Sequence, residues 1–204
     1  MIAFFGGSFN PVHYGHLKCA VAINKELKLK KTYLMPCAIP IHKERFAISD
    51  KDRLKILQLS INKYPNLAID NREIKRHGLS YTIDSLIEIN KQYPNEIIIL
   101  MLGMDSFISI NTWKDFTKLT NYAHILVFKR PNYVIDKSVL KYFDITDNID
   151  KLSSNKNGLV YFYNQAAVDI SSSDIRNKIL NHESIAKLMS KKAIDFIYQK
   201  KLFC

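Results

Sequence analysis

Short apolar runs alternate with amphipathic stretches along the whole chain. Such runs are typical of buried β-strands, and they cover Ile2–Phe5, Thr32–Met35, Leu67–Ile69, Ile97–Leu102, Ile125–Phe128 and Leu159–Tyr163. Ile97–Leu102 is the longest, and its continuous apolar character is expected of a central strand that is covered on both faces. The pattern therefore predicts six strands, with the fourth near the centre of a sheet.

Helical spacing of apolar residues fills the intervals between these runs. It predicts helices over Leu17–Leu27, Asp50–Asn62, Tyr81–Tyr93, Ser172–Leu180 and Lys191–Lys201. Strands that alternate with helices favour right-handed crossovers and a parallel sheet. We predict an α/β fold, doubly wound with a mostly parallel sheet, in which residues 1–204 form a single domain and the helices of residues 172–204 pack on it.

The loops that follow the predicted strands are where ligands are expected. In open parallel sheets ligands bind beyond the carboxyl ends of the strands, which here means the loops after Phe5, Met35, Leu102 and Tyr163. The segment Asn132–Asn157 is polar and weakly patterned, and we interpret it as a surface excursion rather than a domain boundary.

Composition narrows the class of protein. No apolar stretch approaches the roughly 20 residues of a membrane span, and no basic leader precedes the first apolar run. We therefore expect a cytoplasmic protein that does not bind membranes. The three cysteines, Cys19, Cys37 and Cys204, share no CxxC spacing, so we expect free thiols rather than a disulfide framework or a zinc site.

The formal net charge of +11 has two interpretations. A basic chain attracts polyanions, either nucleic acid or small molecules such as ATP. The basic residues are mostly Lys and are spread along the chain, without an Arg-rich tail. Charge alone leaves both interpretations open, and the local motifs have to decide between them.

The loop after the first strand combines glycines with two histidines. Gly6 and Gly7 allow backbone N–H groups to approach a phosphate, and the following helix start favours anions. His13 and His16 can donate hydrogen bonds to phosphate oxygens. The stretch is neither a Walker loop nor a GxGxxG motif, and the HExxH pattern of a zinc site is absent.

Two further segments carry anion-binding chemistry. Serines precede the predicted helix at Ser172, and Arg176 falls in its first turn, where it can face the same phosphates. Pro36–Lys43 follows the second strand, and its His42 and Lys43 would be cations beside the first loop.

These motifs together resemble the nucleotidylyltransferase superfamily. His13–His16 matches its HxGH signature, and Gly6–His16 resembles its GG(T/S)F(D/N)PxHxGH start, with Asn10 where many relatives have Asp. Ile170–Arg176 looks like its ISSTxIR motif, with Ser173 in place of Thr, and Pro36–Lys43 resembles its PxxxPxHK loop. The resemblance implies a Rossmann-like nucleotidylyltransferase fold with a small C-terminal helical part.

Other segments are similar to the nicotinate-nucleotide adenylyltransferases within that superfamily. They are the RxGxSYT stretch Arg76–Thr82, the GxD stretch Gly103–Asp105, Trp113 downstream, and the Arg130–Pro131 pair. The ATP-binding residues that the resemblance implies are Gly6, Gly7, Ser8, Phe9, His13, His16, Gly103, Asp105, Ile170, Ser172, Ser173 and Arg176. The implied residues for nicotinate mononucleotide are Ser8, Lys43, Ser80, Tyr81, Thr82, Trp113 and Arg130.

The physical chemistry of the second substrate fits these residues. A pyridine ring can stack on Trp113 or Tyr81, and a carboxylate on that ring suits the free N–H groups at the start of the helix near Tyr81. The alternative interpretations are that Trp113 is an aromatic residue of the core and that Ser80 and Thr82 only cap the helix. Asp105 would hold a ribose hydroxyl or help to place a metal ion, and we favour the ribose or a structural role.

The implied reaction is a direct in-line attack of the mononucleotide phosphate on the α-phosphorus of ATP. His16, His13 and Arg176 are the predicted catalytic residues: His16 stabilises the α-phosphate, while His13, Ser173 and Arg176 hold the other phosphates. Mg²⁺ would bridge the β and γ oxygens of ATP, with no metal ligands from protein side chains.

Other functions remain open at this point. Nicotinamide mononucleotide or pantetheine phosphate could replace the acceptor within the same superfamily. A basic nucleic-acid-binding module would show salt-dependent affinity for RNA or DNA, but it leaves the His, Ser and Arg motifs unexplained. We therefore expect ATP and nicotinate mononucleotide as partners, and no nucleic acid. The oligomeric state is not determined, and a homo-oligomer is compatible with the sequence.

Overall fold

The computed structural model describes residues 1–38, 48–76, 78–129, 137–164 and 170–203. The strands are β1 (Ile2–Gly7), β2 (Lys31–Pro36), β3 (Leu67–Ile69), β4 (Ile98–Gly103), β5 (His124–Phe128), β6 (Asp144–Thr146) and β7 (Leu159–Tyr163). The helices are α1 (Tyr14–Glu26), α2 (Asp50–Ile61), α3 (Arg72–Arg76), α4 (Thr82–Gln92), α5 (Met104–Phe107), α6 (Lys137–Leu140), α7 (Lys151–Ser154), α8 (Ser172–Leu180) and α9 (Lys191–Gln199). Two 3₁₀ turns, Ile110–Thr112 and Phe116–Asn121, lie between α5 and β5.

The strands form one seven-stranded sheet in the order β3-β2-β1-β4-β5-β7-β6. Neighbouring strands pair in parallel throughout the described residues. The strand order reverses between β1 and β4, so the crevice beyond their carboxyl ends is the switch point where such sheets bind ligands. This confirms the predicted doubly wound α/β fold.

Two apolar layers cover the two faces of the sheet. One contains buried residues of α1, α2, α8 and α9, and the other contains those of α4 and α5. β4 lies in the middle of the sheet, and its residues Ile98–Leu102 are all buried. Its continuous apolar run is explained by this double coverage.

Serine side chains fix the starts of three helices. Ser49, Ser171 and Ser190 each accept a hydrogen bond from a backbone N–H in the first turn of α2, α8 and α9. These bonds satisfy N–H groups that have no partner within the helix. None of the helices in the described ranges has the length and apolar character needed to cross a membrane.

The segment Asn132–Asn157 differs from the expectation. Its described part contains α6, the additional strand β6 and α7, so the sheet has a seventh strand that the sequence analysis did not predict. β6 has only three residues, and Asp144 and Ile145 are exposed because β6 is an edge strand. A short, exposed edge strand needs no apolar run. The segment therefore extends the sheet instead of only covering the surface.

The buried histidine His124, at the start of β5, forms hydrogen bonds to the backbone around the start of β7. Its Nδ1 accepts a hydrogen bond from the Leu159 N–H at 3.1 Å, and its Nε2 lies 3.0 Å from the Asn155 carbonyl oxygen. This pair of bonds requires the neutral ring with the proton on Nε2. Burial lowers the pKa of His124 below its ordinary value of 6.5.

We predict that His124 makes the fold sensitive to acid. Because its folded pKa is lowered, its contribution to stability is complete above pH 6.5 and is lost as the pH falls towards the folded pKa. Between the two values the loss is about 1.4 kcal/mol per pH unit. When urea unfolding is measured between pH 7.5 and 5, the free energy of unfolding should decrease less for His124→Gln than for the wild type. His182→Gln, at an exposed histidine, should show the same decrease as the wild type. The prediction is contradicted if the free energy of unfolding falls equally with pH in all three proteins.

Candidate active site

The residues between β1 and α1 form loop 1 (residues 8–13), which lies at the switch point of the sheet. Phe9 has a φ of 44° and turns its buried ring back over Gly7. A Cβ on Gly7 would lie 3.1 Å from that ring, so any larger residue here would push the Phe9 ring out of its position. A Cβ on Gly6 would be 3.9 Å from its nearest neighbour, which is ordinary contact. Of the two glycines, Gly7 is therefore the one that the packing of Phe9 favours.

The two histidines of the HxGH motif lie face to face at the start of α1. Their ring centroids are 3.8 Å apart, and His13 is 2% exposed while His16 is half-buried. The backbone N–H of His13 donates to Nδ1 of His16 at 3.3 Å. Because Nδ1 is an acceptor, the neutral ring of His16 carries its proton on Nε2. The ring is also flanked by Phe5 and Phe9, with centroids 5.9 Å and 5.1 Å away.

The start of α8 is attached to loop 1. Oγ of Ser172 donates to the Pro11 carbonyl oxygen at 2.9 Å. Nη1 of Arg176 donates to the Asn10 carbonyl oxygen at 2.8 Å, and its Nη2 donates to Oγ of Ser173 at 3.2 Å. The structure thus brings the HxGH and ISSTxIR-like motifs together. Ile170 packs against the core just before Ser171, the N-cap of α8.

The surroundings of Asn10 explain why it stands where the family motif often has Asp. It is 8% exposed, and within the described residues its Oδ1 is buried without a hydrogen-bond partner. A buried carboxylate at this position would cost more free energy than a neutral amide, because an unpaired charge is harder to remove from water. The substitution of Asn for Asp therefore suits this environment.

The neighbouring strand β4 brings Gly103 and Asp105 to the same end of the sheet. β4 pairs with β1 and ends at Gly103. A Cβ on Gly103 would lie 2.5 Å from Oδ1 of Asp105, so the absence of a side chain leaves room for this carboxylate. Asp105 is exposed, and its carboxylate lies beside Gly103 at the carboxyl end of β4. This position is compatible with a hydrogen bond to a ribose hydroxyl.

The chain after β2 connects loop 1 with the start of α4. The N–H of Cys37 donates to the Gly7 carbonyl oxygen at 3.1 Å, and the N–H of Ala38 donates to Oγ of Ser80 at 2.8 Å. Burial raises the pKa of the Cys37 thiol above its ordinary value. Cys19 and Cys37 are both reduced, while Cys204 lies outside the described residues.

The start of α4 brings together Tyr81, Asp84 and Lys114. Tyr81 is its N-cap residue and makes no side-chain capping bond within the described residues. Lys114 lies against it, with Nζ 4.7 Å from the Tyr81 ring centroid and 3.1 Å from Oδ1 of Asp84. Trp113, the residue before Lys114, is half-buried and packs against the second apolar layer. The structure therefore brings the Tyr81 and Trp113 segments together, and Thr82 begins the helix.

Several predicted residues lie outside the described ranges. They are His42, Lys43, His77, Arg130 and Pro131. Their roles remain predictions from the motifs.

Two buried charged residues at the site were missed by the sequence analysis. Arg53 of α2 donates to the carbonyl oxygens of Ser8 and Cys37. Glu73 of α3 accepts a hydrogen bond from Ser85 at 2.8 Å, and burial raises its pKa above the ordinary value. The sequence could have indicated Arg53 by its position, because it lies on the same buried face of α2 as Ile56 and other apolar residues.

Known proteins match this chain over most of its length. A cytidylyltransferase-like family model matches residues 4–178. A protein of Vesicomyosocius okutanii named as a probable nicotinate-nucleotide adenylyltransferase is 39% identical over 97% of this chain and 93% of its own length. A protein of the same name from Psychromonas ingrahamii is 36% identical over 99% of this chain and 96% of its own. The chain belongs to the nicotinate-nucleotide adenylyltransferase family.

Solved structures give the same fold. The nicotinic acid mononucleotide adenylyltransferase of Plasmodium falciparum complexed with NaAD superposes with a TM-score of 0.76, at 21% identity, over 99% of this chain and 96% of that one. The same Plasmodium protein complexed with APC gives a TM-score of 0.74. At this level of identity the likeness concerns the fold, and family membership rests on the closer sequence relatives.

Proposed function

We propose that this protein transfers the adenylyl group of ATP to nicotinate mononucleotide, forming nicotinate adenine dinucleotide and pyrophosphate in NAD biosynthesis. The observation that carries the proposal is the attachment of α8 to loop 1, which places Arg176 beside the HxGH motif at the switch point. Relatives at 36–39% identity carry the name of this activity.

The reaction needs positioning and charge stabilisation rather than a covalent enzyme intermediate. An oxygen of the acceptor phosphate forms a bond to the α-phosphorus of ATP, and the bond from the α-phosphorus to the bridging oxygen of pyrophosphate breaks. The nucleophile is already an anion, so no general base is required. Nε2–H of His16 is the donor that we assign to the α-phosphate, while His13, Ser173 and Arg176 hold the outgoing phosphates.

The adenosine end of ATP and its phosphates would occupy the crevice between β1 and β4. Backbone N–H groups of Gly6 to Phe9 would approach the phosphates, and Asp105 beside Gly103 would bind the ribose. The start of α8, with Ser172, provides further donors.

The acceptor would bind beside loop 1, at the start of α4. N–H groups in the first turn of α4 are suited to the nicotinate carboxylate, and Tyr81 and Trp113 offer aromatic surfaces for the pyridine ring. We also assign Ser8, Ser80 and Thr82 to this subsite, together with Lys43 and Arg130 from their motif positions. These assignments are proposals that mutagenesis can test residue by residue.

Magnesium would enter the site with ATP. The described residues contain no group of three His, Cys, Asp or Glu side chains that could hold a metal ion by themselves. We assign the ligands of the ion to phosphate oxygens of ATP and to water. When bound, Mg²⁺ neutralises the charge of the pyrophosphate leaving group. Because the reaction uses ATP and Mg²⁺, which are abundant in the cytoplasm, we propose that the protein acts there.

Labelled ATP tests the proposed reaction directly. With ATP labelled at the α-phosphorus, the label should appear in the dinucleotide, and with ATP labelled at the γ-phosphorus it should appear in pyrophosphate. Both products should depend on nicotinate mononucleotide and Mg²⁺. Release of inorganic phosphate, or transfer of the γ-label to the acceptor, would indicate a kinase or a hydrolase and contradict the proposal.

A further inference from the structure

Arg53 is a buried cation that contacts two separate loops of the site. It is 1% exposed, although it belongs to the surface helix α2. Its Nη1 donates to the Ser8 carbonyl oxygen at 2.7 Å, and its Nη2 donates to the Cys37 carbonyl oxygen at 2.5 Å. Nη2 also lies 2.6 Å from Oδ1 of Asp50, one turn earlier on the helix. The guanidinium therefore has three oxygen partners in three segments.

One carbonyl group belongs to loop 1, which takes part in both proposed subsites, and the other belongs to the segment after β2, which leads to the proposed acceptor subsite. Ser8 opens loop 1, which follows β1, and Cys37 follows the adjacent strand β2. A guanidinium is planar and presents its donors in a fixed fork, so it sets the separation of two acceptors more strictly than a flexible ammonium does. Removal of a buried charge from water is compensated only when its partners are held in good geometry. The position of each loop is therefore tied to Arg53.

The contacts continue beyond Cys37 to the start of α4. The next residue, Ala38, donates its N–H to Oγ of Ser80, the residue before the α4 N-cap. Hydrogen bonds thus connect loop 1 with the proposed acceptor subsite through Arg53 and the backbone at Cys37 and Ala38. Few other side chains could serve this purpose, because the acceptors are carbonyl groups and only a multiple donor can join them.

We propose that Arg53 is a positioning residue that fixes the separation between the ATP-binding loop 1 and the acceptor-binding segments that follow β2. The proposal rests on the proposed function, in which two substrates must meet in line. A misplacement of about 1 Å in such a reaction costs about 10²-fold in rate. The effect of Arg53 should therefore appear in the turnover of the ternary complex more than in the binding of either substrate alone.

Two substitutions at Arg53 and one control on the same helix test the proposal. Arg53→Met removes all donors, and Arg53→Lys keeps the charge but not the fork. Leu57→Ala is the control, because Leu57 is fully buried on the same face of α2 and contacts neither loop by a hydrogen bond. For each variant we would measure the melting temperature, kcat at saturating substrates, and the dissociation constant of a non-hydrolysable ATP analogue alone.

The expected result is a decrease of kcat by about 10²-fold in Arg53→Met, with partial recovery in Arg53→Lys and little change in the affinity for the ATP analogue. Leu57→Ala should lower the melting temperature and keep the wild-type kcat well below its own transition. If Arg53→Met does not fold, Arg53→Lys decides, because a lower kcat without weaker analogue binding supports the proposal.

Wild-type kcat in either folded Arg53 variant would overturn the positioning role, as would a loss that Leu57→Ala reproduces at equal stability. Failure of the proposed function is distinguishable from these outcomes. In that case the wild type itself shows no turnover with nicotinate mononucleotide, and the positioning role fails with it.

Discussion

His16→Ala is expected to lower kcat by about 10²- to 10³-fold, the usual cost of losing one donor that stabilises charge in the transition state. Because Nδ1 of the His16 ring accepts the His13 N–H, the neutral ring carries its proton on Nε2, and we assign this Nε2–H to a phosphate oxygen. Phe5 and Phe9 flank the ring and restrict its rotation. Such a fixed donor needs no reorganisation when charge develops, and its loss should therefore affect kcat more than the KM for ATP.

Steady-state kinetics at saturating ATP and nicotinate mononucleotide measure this effect. His182→Ala is the matched control, because this exposed histidine lies in the connection between α8 and α9. It should keep the wild-type kcat. A decrease of only a few-fold in folded His16→Ala would exclude the assigned role of His16 in stabilising the α-phosphate.

Arg176→Ala is expected to lower kcat/KM for ATP by about 10- to 10²-fold, which corresponds to about 1.5–3 kcal/mol for hydrogen bonds that involve a charged group. Arg176 lies in the second turn of α8, one turn later than the sequence predicts, and two of its nitrogen atoms already bond to the Asn10 carbonyl group and Ser173. These contacts direct the side chain towards loop 1. The substitution should therefore remove a phosphate contact and also loosen the attachment of loop 1 to α8.

Two further variants separate these effects. Lys178→Ala, two residues further along α8, removes an exposed ion pair with Glu183 and should leave the kinetics unchanged. Arg176→Lys keeps a positive charge at this position but loses the fork that bonds to the Asn10 carbonyl group and Ser173. A smaller loss in Arg176→Lys than in Arg176→Ala would support phosphate contact, whereas equal losses would reduce Arg176 to a structural residue.

The fold could be predicted where the sequence pattern reports burial. β4 is covered on both faces, so its continuous apolar run was a sufficient signal. β6 has no such signal, because a three-residue edge strand with exposed Asp144 and Ile145 receives its position from hydrogen bonds to β7. Helix α3 is also short, with five residues, and its ends depend on the surrounding contacts more than on its own propensity.

The candidate site could be predicted where its chemistry is local in sequence. Glycines, histidines and serines at the ends of strands and the starts of helices form contiguous motifs, and the structure brings loop 1 and α8 together. Arg53 has no motif, since its partners are backbone carbonyl groups of distant segments. Every residue type has a backbone carbonyl group, so the sequence does not show the partners of Arg53. Its position on the buried face of α2 was the signal that the sequence offered.

The central claim is tested most directly by comparing nicotinate mononucleotide with nicotinamide mononucleotide as acceptors, with saturating Mg²⁺-ATP and dinucleotide formation as the readout. We predict a kcat/KM that is at least about tenfold higher for the acid, because a hydrogen bond to a carboxylate at the start of α4 is about twice as strong as one to a neutral amide. Preference for the amide, or turnover with neither acceptor, would contradict the proposed function and its subsite at Tyr81 and Thr82.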